Sequence, residues 1–175
     1  MANAQFYSYA PEDTVMVITW TGNGGGTHVI EGVADGTFFE VTPEGAPITM
    51  SIGAYGSMAR TVLGRSNASI AVTLQDGSAS NDILSALHKN DRTSRNLDWV
   101  FQVTLKSGER TFFTAPFAYI EDYPAKSYST EASTITWNIV CNDLQQHIGG
   151  AGFVDTDTES TLADLGYTVD PYFVQ

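Results

Sequence analysis

The chain has 175 residues, the size of one domain, and its 42% hydrophobic and 11% aromatic content is enough to bury a core and too much for a disordered polymer. Only 16% of residues are charged, against about 25% in ordinary soluble domains, and Ser, Thr, Asn and Gln fill the polar positions instead, as a surface meant for protein contact would need. Twenty acids against eight bases give a net charge of −12, which argues against a reader of nucleic-acid phosphates, a class that depends on Lys and Arg.

The opening residues Met1-Ala-Asn-Ala-Gln-Phe6 lack a basic stretch followed by an apolar one, and no apolar run reaches about 18 residues, so neither a signal peptide nor a membrane span is expected. Thr14-Val-Met-Val-Ile-Thr-Trp20 is dense in β-branched and aromatic residues with apolar side chains on both faces, as in a strand covered on both sides. The Asn23-Gly24 pair in the glycine-rich stretch after it supplies the positive φ of a tight turn, and Thr27-His-Val-Ile-Glu31 completes a hairpin. Residues 32–67 lose periodicity around Pro43, Pro47 and glycines 36, 45, 53, 56 and 64, and a segment of that length is read as a binding loop or an arm.

Residues 69–74 alternate, with Ile70, Val72 and Leu74 on one face and Ala71 and Thr73 on the other, which predicts a half-buried strand. After Asp76-Gly77, residues 78–89 predict one short helix with Ser80 or Asn81 as N-cap and Asp82 in its first turn. Ile83, Leu84 and Leu87 form its apolar stripe, with His88 and Lys89 at its C-terminal end. Trp99, Phe101, Val103 and Leu105 alternate with Val100, Gln102 and Thr104, and a turn at Gly108 leads into residues 110–115, a second hairpin. Pro116 predicts a local break suited to an edge strand or a bulge, before residues 117–121 continue extended. In residues 133–141, Ile135, Trp137, Ile139 and Cys141 point inward and Thr134, Thr136 and Asn138 outward; Cys141 is read as a buried small hydrophobe. The tail, 151–175, has five acids and no Lys or Arg, and ends in Tyr172, Phe173 and Val174, an apolar end that can dock. The elements add up to an all-β sandwich or barrel with one short helix as plug or flank.

Motifs that would carry chemistry fail on spacing. Gly22-Asn-Gly-Gly-Gly-Thr27 has no Lys-Ser or Lys-Thr after it and joins two strands, so it is a turn and no phosphate loop. Asp155-Thr-Asp-Thr-Glu159 alternates acids as calcium loops do but has Gly166 where the twelfth-position carboxylate belongs, and reads as a solvated acidic tail. His28, His88 and His147 have no paired ligand spacing, no serine sits in a nucleophile elbow, and no metal, cofactor or catalytic residue is assigned. The outward residues Thr73, Gln102, Thr104, Thr134, Thr136 and Asn138 are polar and uncharged, whereas exposed edges normally carry charges that block further pairing.

Four stretches carry a family likeness: Tyr9-Ala-Pro-Glu-Asp13; Glu31-Gly-Val-Ala-Asp-Gly-Thr-Phe38; Ser80-Asn-Asp-Ile-Leu-Ser-Ala-Leu87; and Trp137-Asn-Ile-Val-Cys-Asn-Asp-Leu144 with Gly149-Gly150. In this order and spacing, over about residues 6–150, the chain resembles the tail tube proteins of contractile-tailed bacteriophages. Its tail after Gly150 departs from the family's usual ending, and residues 46–64 are more apolar and less charged than the family segment. The resemblance implies a β-sandwich domain over 1–150 with an arm at about 32–67, and an acidic extension over 151–175. It implies six subunits whose strands join into a β-barrel around a channel, and rings that stack into a tube within a contracting sheath. Its other partners would be the tape measure protein and the terminator and baseplate proteins. Viral DNA would pass without specific binding, no membrane would be involved, and the protein would reside in the virion tail after assembly in the host cytoplasm.

On that reading Thr42, Pro43, Glu44, Pro47, Ile48, Met50, Ile52, Tyr55, Met58, Arg60 and Arg65 are the arm's contact residues, and Tyr172, Phe173 and Val174 the docking end. Two alternatives stand beside it. One is the tube of a phage-derived contractile injection system; the other is a monomeric carbohydrate-binding β-sandwich using Trp20, Trp99 and Trp137 as stacking platforms.

Overall fold

The computed structural model describes residues 10–64, 66–108, 110–130, 132–150, 154–169 and 174. In chain order its strands are β1 (Thr14–Trp20), β2 (Gly26–Val29), β3 (Phe39–Pro43), β4 (Ile48–Ile52), β5 (Met58–Val62), β6 (Ala68–Gln75), β7 (Phe101–Ser107), β8 (Thr111–Ile120), β9 (Thr134–Asn142) and β10 (Gln145–His147), with helices α1 (Ser80–Ser94) and α2 (Thr156–Asp164).

Eight strands form one antiparallel sheet in the order β2-β1-β7-β8-β9-β6-β3, with β10 on β8 beyond the end of β9. Alternation decides its two faces. Met16, Ile18, Ile70, Val72, Leu74, Val103, Ile139 and Cys141 are wholly buried, and their neighbours in sequence are not. Leu84 and Leu87 of α1 join the same core, so the helix covers the concave side.

The sheet rolls over this core. Ile30 N–H donates to Met16 O on β1, while three residues on Val33 bridges Leu74 of β6, so one stretch of chain runs between the two ends of the ladder. Phe39 and Val41 of β3 consequently pack on the same cluster as Met16 and Ile18, and a cleft of about 470 Å³ remains between Thr14, Phe39, Val41, Leu105 and Phe113. The ladder itself stays open, with β2 and β3 as its edges.

Several expectations are corrected. The expected all-β architecture holds as a mostly β fold, but its core is built by one eight-stranded sheet with β4 and β5 apart from it, so β1 is covered on one face only and Val15 on its outer face stays 39% exposed. There are two α-helices among the described residues, not one. Residues 32–67 are not an irregular loop, because β3 belongs to the sheet and β4 and β5 form a hairpin. Helix α1 runs to Ser94, ending on Arg95 in the left-handed region, and its N-cap is Ala79. Ser80 is drawn inward instead: its hydroxyl accepts from the Glu31 N–H at 2.9 Å, and Ser78 Oγ accepts the Ser80 N–H. His88 is buried rather than terminal, donating from Nδ1 to Ile120 O at 3.0 Å. The bulge expected at Pro116 is present, and the strand runs on through it without a break: Phe101 faces Ala118 while Val103 faces Ala115, so one extra residue bulges on β8 where Pro116 lies. The acidic Asp155-to-Glu159 stretch is solvated as expected, with Asp155 and Asp157 exposed, but it is helical, capping and starting α2. The Asp155 carboxylate accepts the Thr158 N–H at 2.7 Å, and that bond holds its pKa below the ordinary value.

Two predictions follow from the core. Trp137 Nε1 donates to Asn81 Oδ1 at 2.9 Å, so Asn81→Ala orphans a buried donor and lowers the unfolding free energy by about 1–3 kcal/mol in urea titration; an unchanged midpoint overturns the assignment. Burial raises the Cys141 thiol to about 12, so thiol reagents at pH 8 label it at the rate of unfolding, and rapid labelling of the native protein contradicts the placement.

Candidate functional site

The hairpin of β4 and β5 is the part of the chain that the core does not explain. Ile48 lies opposite Val62, Met50 opposite Arg60 and Ile52 opposite Met58. Alternate residues share a strand face, so these six side chains form one side of the hairpin and Thr49, Ser51, Ala59 and Thr61 line the other. Every residue of both strands is exposed, Ile52 by 66% and Met58 by 70%, and Tyr55 in the connecting turn is fully exposed. An isolated two-stranded hairpin is marginal in water, and a contiguous uncovered apolar face marks an interaction site.

The base of the arm is anchored while its length is free. Glu44 N–H donates to Asn67 O at 2.8 Å, Leu63 N–H donates to Pro47 O at 2.7 Å, and Leu144 N–H donates to Ser66 O at 2.7 Å. Residues 45–75 contain no acid and two bases, Arg60 and Arg65, in a chain of net charge −12, so the arm is the locally positive part of an acidic molecule.

The expected site residues divide accordingly. Ile48, Met50, Ile52, Met58 and Arg60 come together on the apolar side, with Tyr55 at the tip and Glu44 and Pro47 at the base. Thr42 and Pro43 do not belong to the arm, because they pair with Ser69 and Ala68 inside the main sheet. Arg65, Tyr172 and Phe173 lie outside the described residues; Val174 makes a parallel bridge with Val154. Sequence reading missed Val62 and Leu63, although the period-two pattern Met58, Arg60, Val62 carried the signal.

The outer face of the sheet is the second uncovered surface. Threonines cross-link it, Thr73 to Thr136 at 3.0 Å and Thr19 to Thr27 at 3.2 Å, and Gln102, Thr134, Thr136 and Asn138 are exposed and uncharged. Phe117 and Tyr119 stand out from β8 at 58% and 42% exposure, which the sequence reading did not single out. A ring stack secures the C-terminal segment: Tyr167 lies 3.9 Å from His147, which in turn stacks on Phe112. Among the described residues no group of His, Cys, Asp or Glu is placed to hold a metal ion, and no helix is long and apolar enough to cross a membrane.

The family described as the bacteriophage PhiTE tail tube protein matches residues 7–149. Structural protein ORF10 of Pseudomonas phage KPP10 is similar, at 30% identity over 165 residues, 93% of this chain and 94% of the relative. Among solved structures, a chain in the virion of a native gene transfer agent particle is similar with a TM-score of 0.48 and 16% identity, over 79% of this chain and 98% of that one. A chain of the anti-feeding prophage cap, a tube terminating cap, has a TM-score of 0.47 and 9% identity, over 83% of this chain and 99% of that one.

Because Ile52 and Met58 are 66% and 70% exposed, Ile52→Ser and Met58→Ser change the unfolding free energy of the unassembled chain by less than about 0.5 kcal/mol. A loss of several times that in chemical denaturation contradicts the free hairpin.

Proposed function

The chain belongs to the family of the bacteriophage PhiTE tail tube protein, a phage structural protein and not an enzyme, and we propose that it assembles as hexameric rings stacked into the hollow inner tube of a contractile tail. The observation that carries this reading is the hairpin arm, an apolar surface with no cover among the described residues. Burial against a neighbouring subunit or ring removes that surface from water, and the gain scales with the apolar area covered.

The open edges β2 and β3 supply the second element. Edge strands present unpaired N–H and C=O groups, and joining them to the edges of neighbouring copies closes a ring without leaving a template for random aggregation. Ring symmetry closes while axial stacking does not, so the product is a tube. A wall built from a chain of net charge −12 repels phosphates, and viral DNA passes without the counterion-release binding that a basic channel would produce.

In this arrangement residues 1–150 are the tube domain and 151–175 an acidic extension, in keeping with a family match that stops at 149. Tyr172, Phe173 and Val174 form the extension's docking end. The sheath surrounds the tube, the tape measure protein lies within it during assembly in the host cytoplasm, and terminator and baseplate proteins meet its ends in the virion tail.

Replacing residues 46–64 by two glycines keeps the paired ends Pro43 and Ala68 of β3 and β6 and removes the arm. The expected product has the circular dichroism of a folded β protein and forms no tubes in negative stain; tubes of ordinary diameter from this variant overturn the role of the arm.

A further inference from the structure

A second apolar surface lies away from the arm. Trp20 and Trp99, with Ile83, Ala86 and Leu87 of α1, line an open groove of about 400 Å³ whose polar lining is Asn23 and Asn90. Glycines hold its walls: a Cβ at Gly26 would strike the Trp20 ring and one at Gly22 the Trp99 ring, so the turn lies flat against both indoles. The turn thus backs both indoles and leaves the groove between them open.

Register fixes where arm and groove leave the sheet. Trp20, Phe101, Ala118, Cys141, Ala68 and Pro43 fall in one row of paired residues. From this row β1 runs into the turn beside the groove in one strand direction, and β3 runs into the arm in the other. The arm does not fill the groove of its own copy, since every residue of its strands is exposed.

A projecting apolar hairpin and an open apolar groove, unlike in shape and set at opposite strand ends of one chain, satisfy each other between copies. Such a contact is heterologous, the kind that repeats along a ring or a filament and does not end at a dimer. Charge agrees with the pairing. Arg60 is set within the apolar side of the arm, and Asp98, exposed beside Trp99, bonds through its carboxylate to Asn96 and to no cation among the described residues.

We propose that the tip of the arm, Ile52, Tyr55 and Met58, seats in the Trp20–Trp99 groove of a second copy with Arg60 facing Asp98. This rests on the arm being the inter-subunit element. Ala86 is exposed on α1, so Ala86→Trp fills the groove without entering the core. The expected outcome is an unchanged circular dichroism spectrum and about a tenfold rise in the protein concentration at which tubes sediment. Oxidising a mixture of Tyr55→Cys and Asn90→Cys copies should give the mixed covalent dimer, which neither variant forms alone; Cys141, being buried, does not compete. If Ala86→Trp assembles like wild type while the arm-less chain does not, the groove is refuted and the arm stands; if the arm-less chain assembles too, both fall. Oligosaccharide binding abolished by Ala86→Trp with assembly unchanged assigns the groove to a sugar instead.

Discussion

A β-sheet with one apolar face must cover that face or roll around it, and this chain does both with a single layer of strands. Everything else in the molecule depends on that closure. The stretch from Ile30 to Val33 passes from β1 to β6, bringing β3 over the cluster that β1, β7 and β9 build, and α1 seals the remaining opening with Leu84 and Leu87. Polar contacts at buried and part-buried positions fasten the helix. Trp137 reaches Asn81, His88 reaches the Ile120 carbonyl, and Ser80 holds both backbone groups of Glu31. Each joins α1 to a different strand or crossover, so the helix is fixed in position as well as buried.

Because one layer suffices for the core, the outer face is left to water and to neighbours. It carries threonines and amides in place of a second sheet, and exposed aromatics on β8 where a charged face would have kept partners away. The same division holds in the arm, where a strand pair with a strict apolar side has no core of its own to join. A monomer designed for solubility would not hold Ile48, Met50, Ile52 and Met58 on one exposed side. Membership of the tail tube family and this uncovered surface are physically compatible.

The acidic balance and the positive arm are part of one design. Self-repulsion among copies of net charge −12 opposes random association, while a segment with arginines and no acid can approach an acidic neighbour in one orientation.

Much of this was legible in the residues. Period-two alternation placed β6, β7 and β9 and named their inward side chains, since alternation is a local property of any half-buried strand; β-branched density placed β1 without telling its faces apart, and the Asn-Gly and Ser-Gly turns located the hairpins. The family likeness rested on short stretches that survive in order along the chain. What sequence could not reveal depends on what lies opposite. Thr42 and Pro43 read as arm residues because nothing local distinguishes a sheet edge beside Ala68 and Ser69 from a loop. Ser80 read as a cap because its hydroxyl's true partner, Glu31, is brought there by a crossover far away in sequence. Composition and periodicity thus determined a β-rich, acidic chain sparing of charge. The rolled single sheet, the free hairpin and the groove between Trp20 and Trp99 were decided only by the tertiary structure, because each is a relation between residues that alternation and propensity, which act between near neighbours, do not encode.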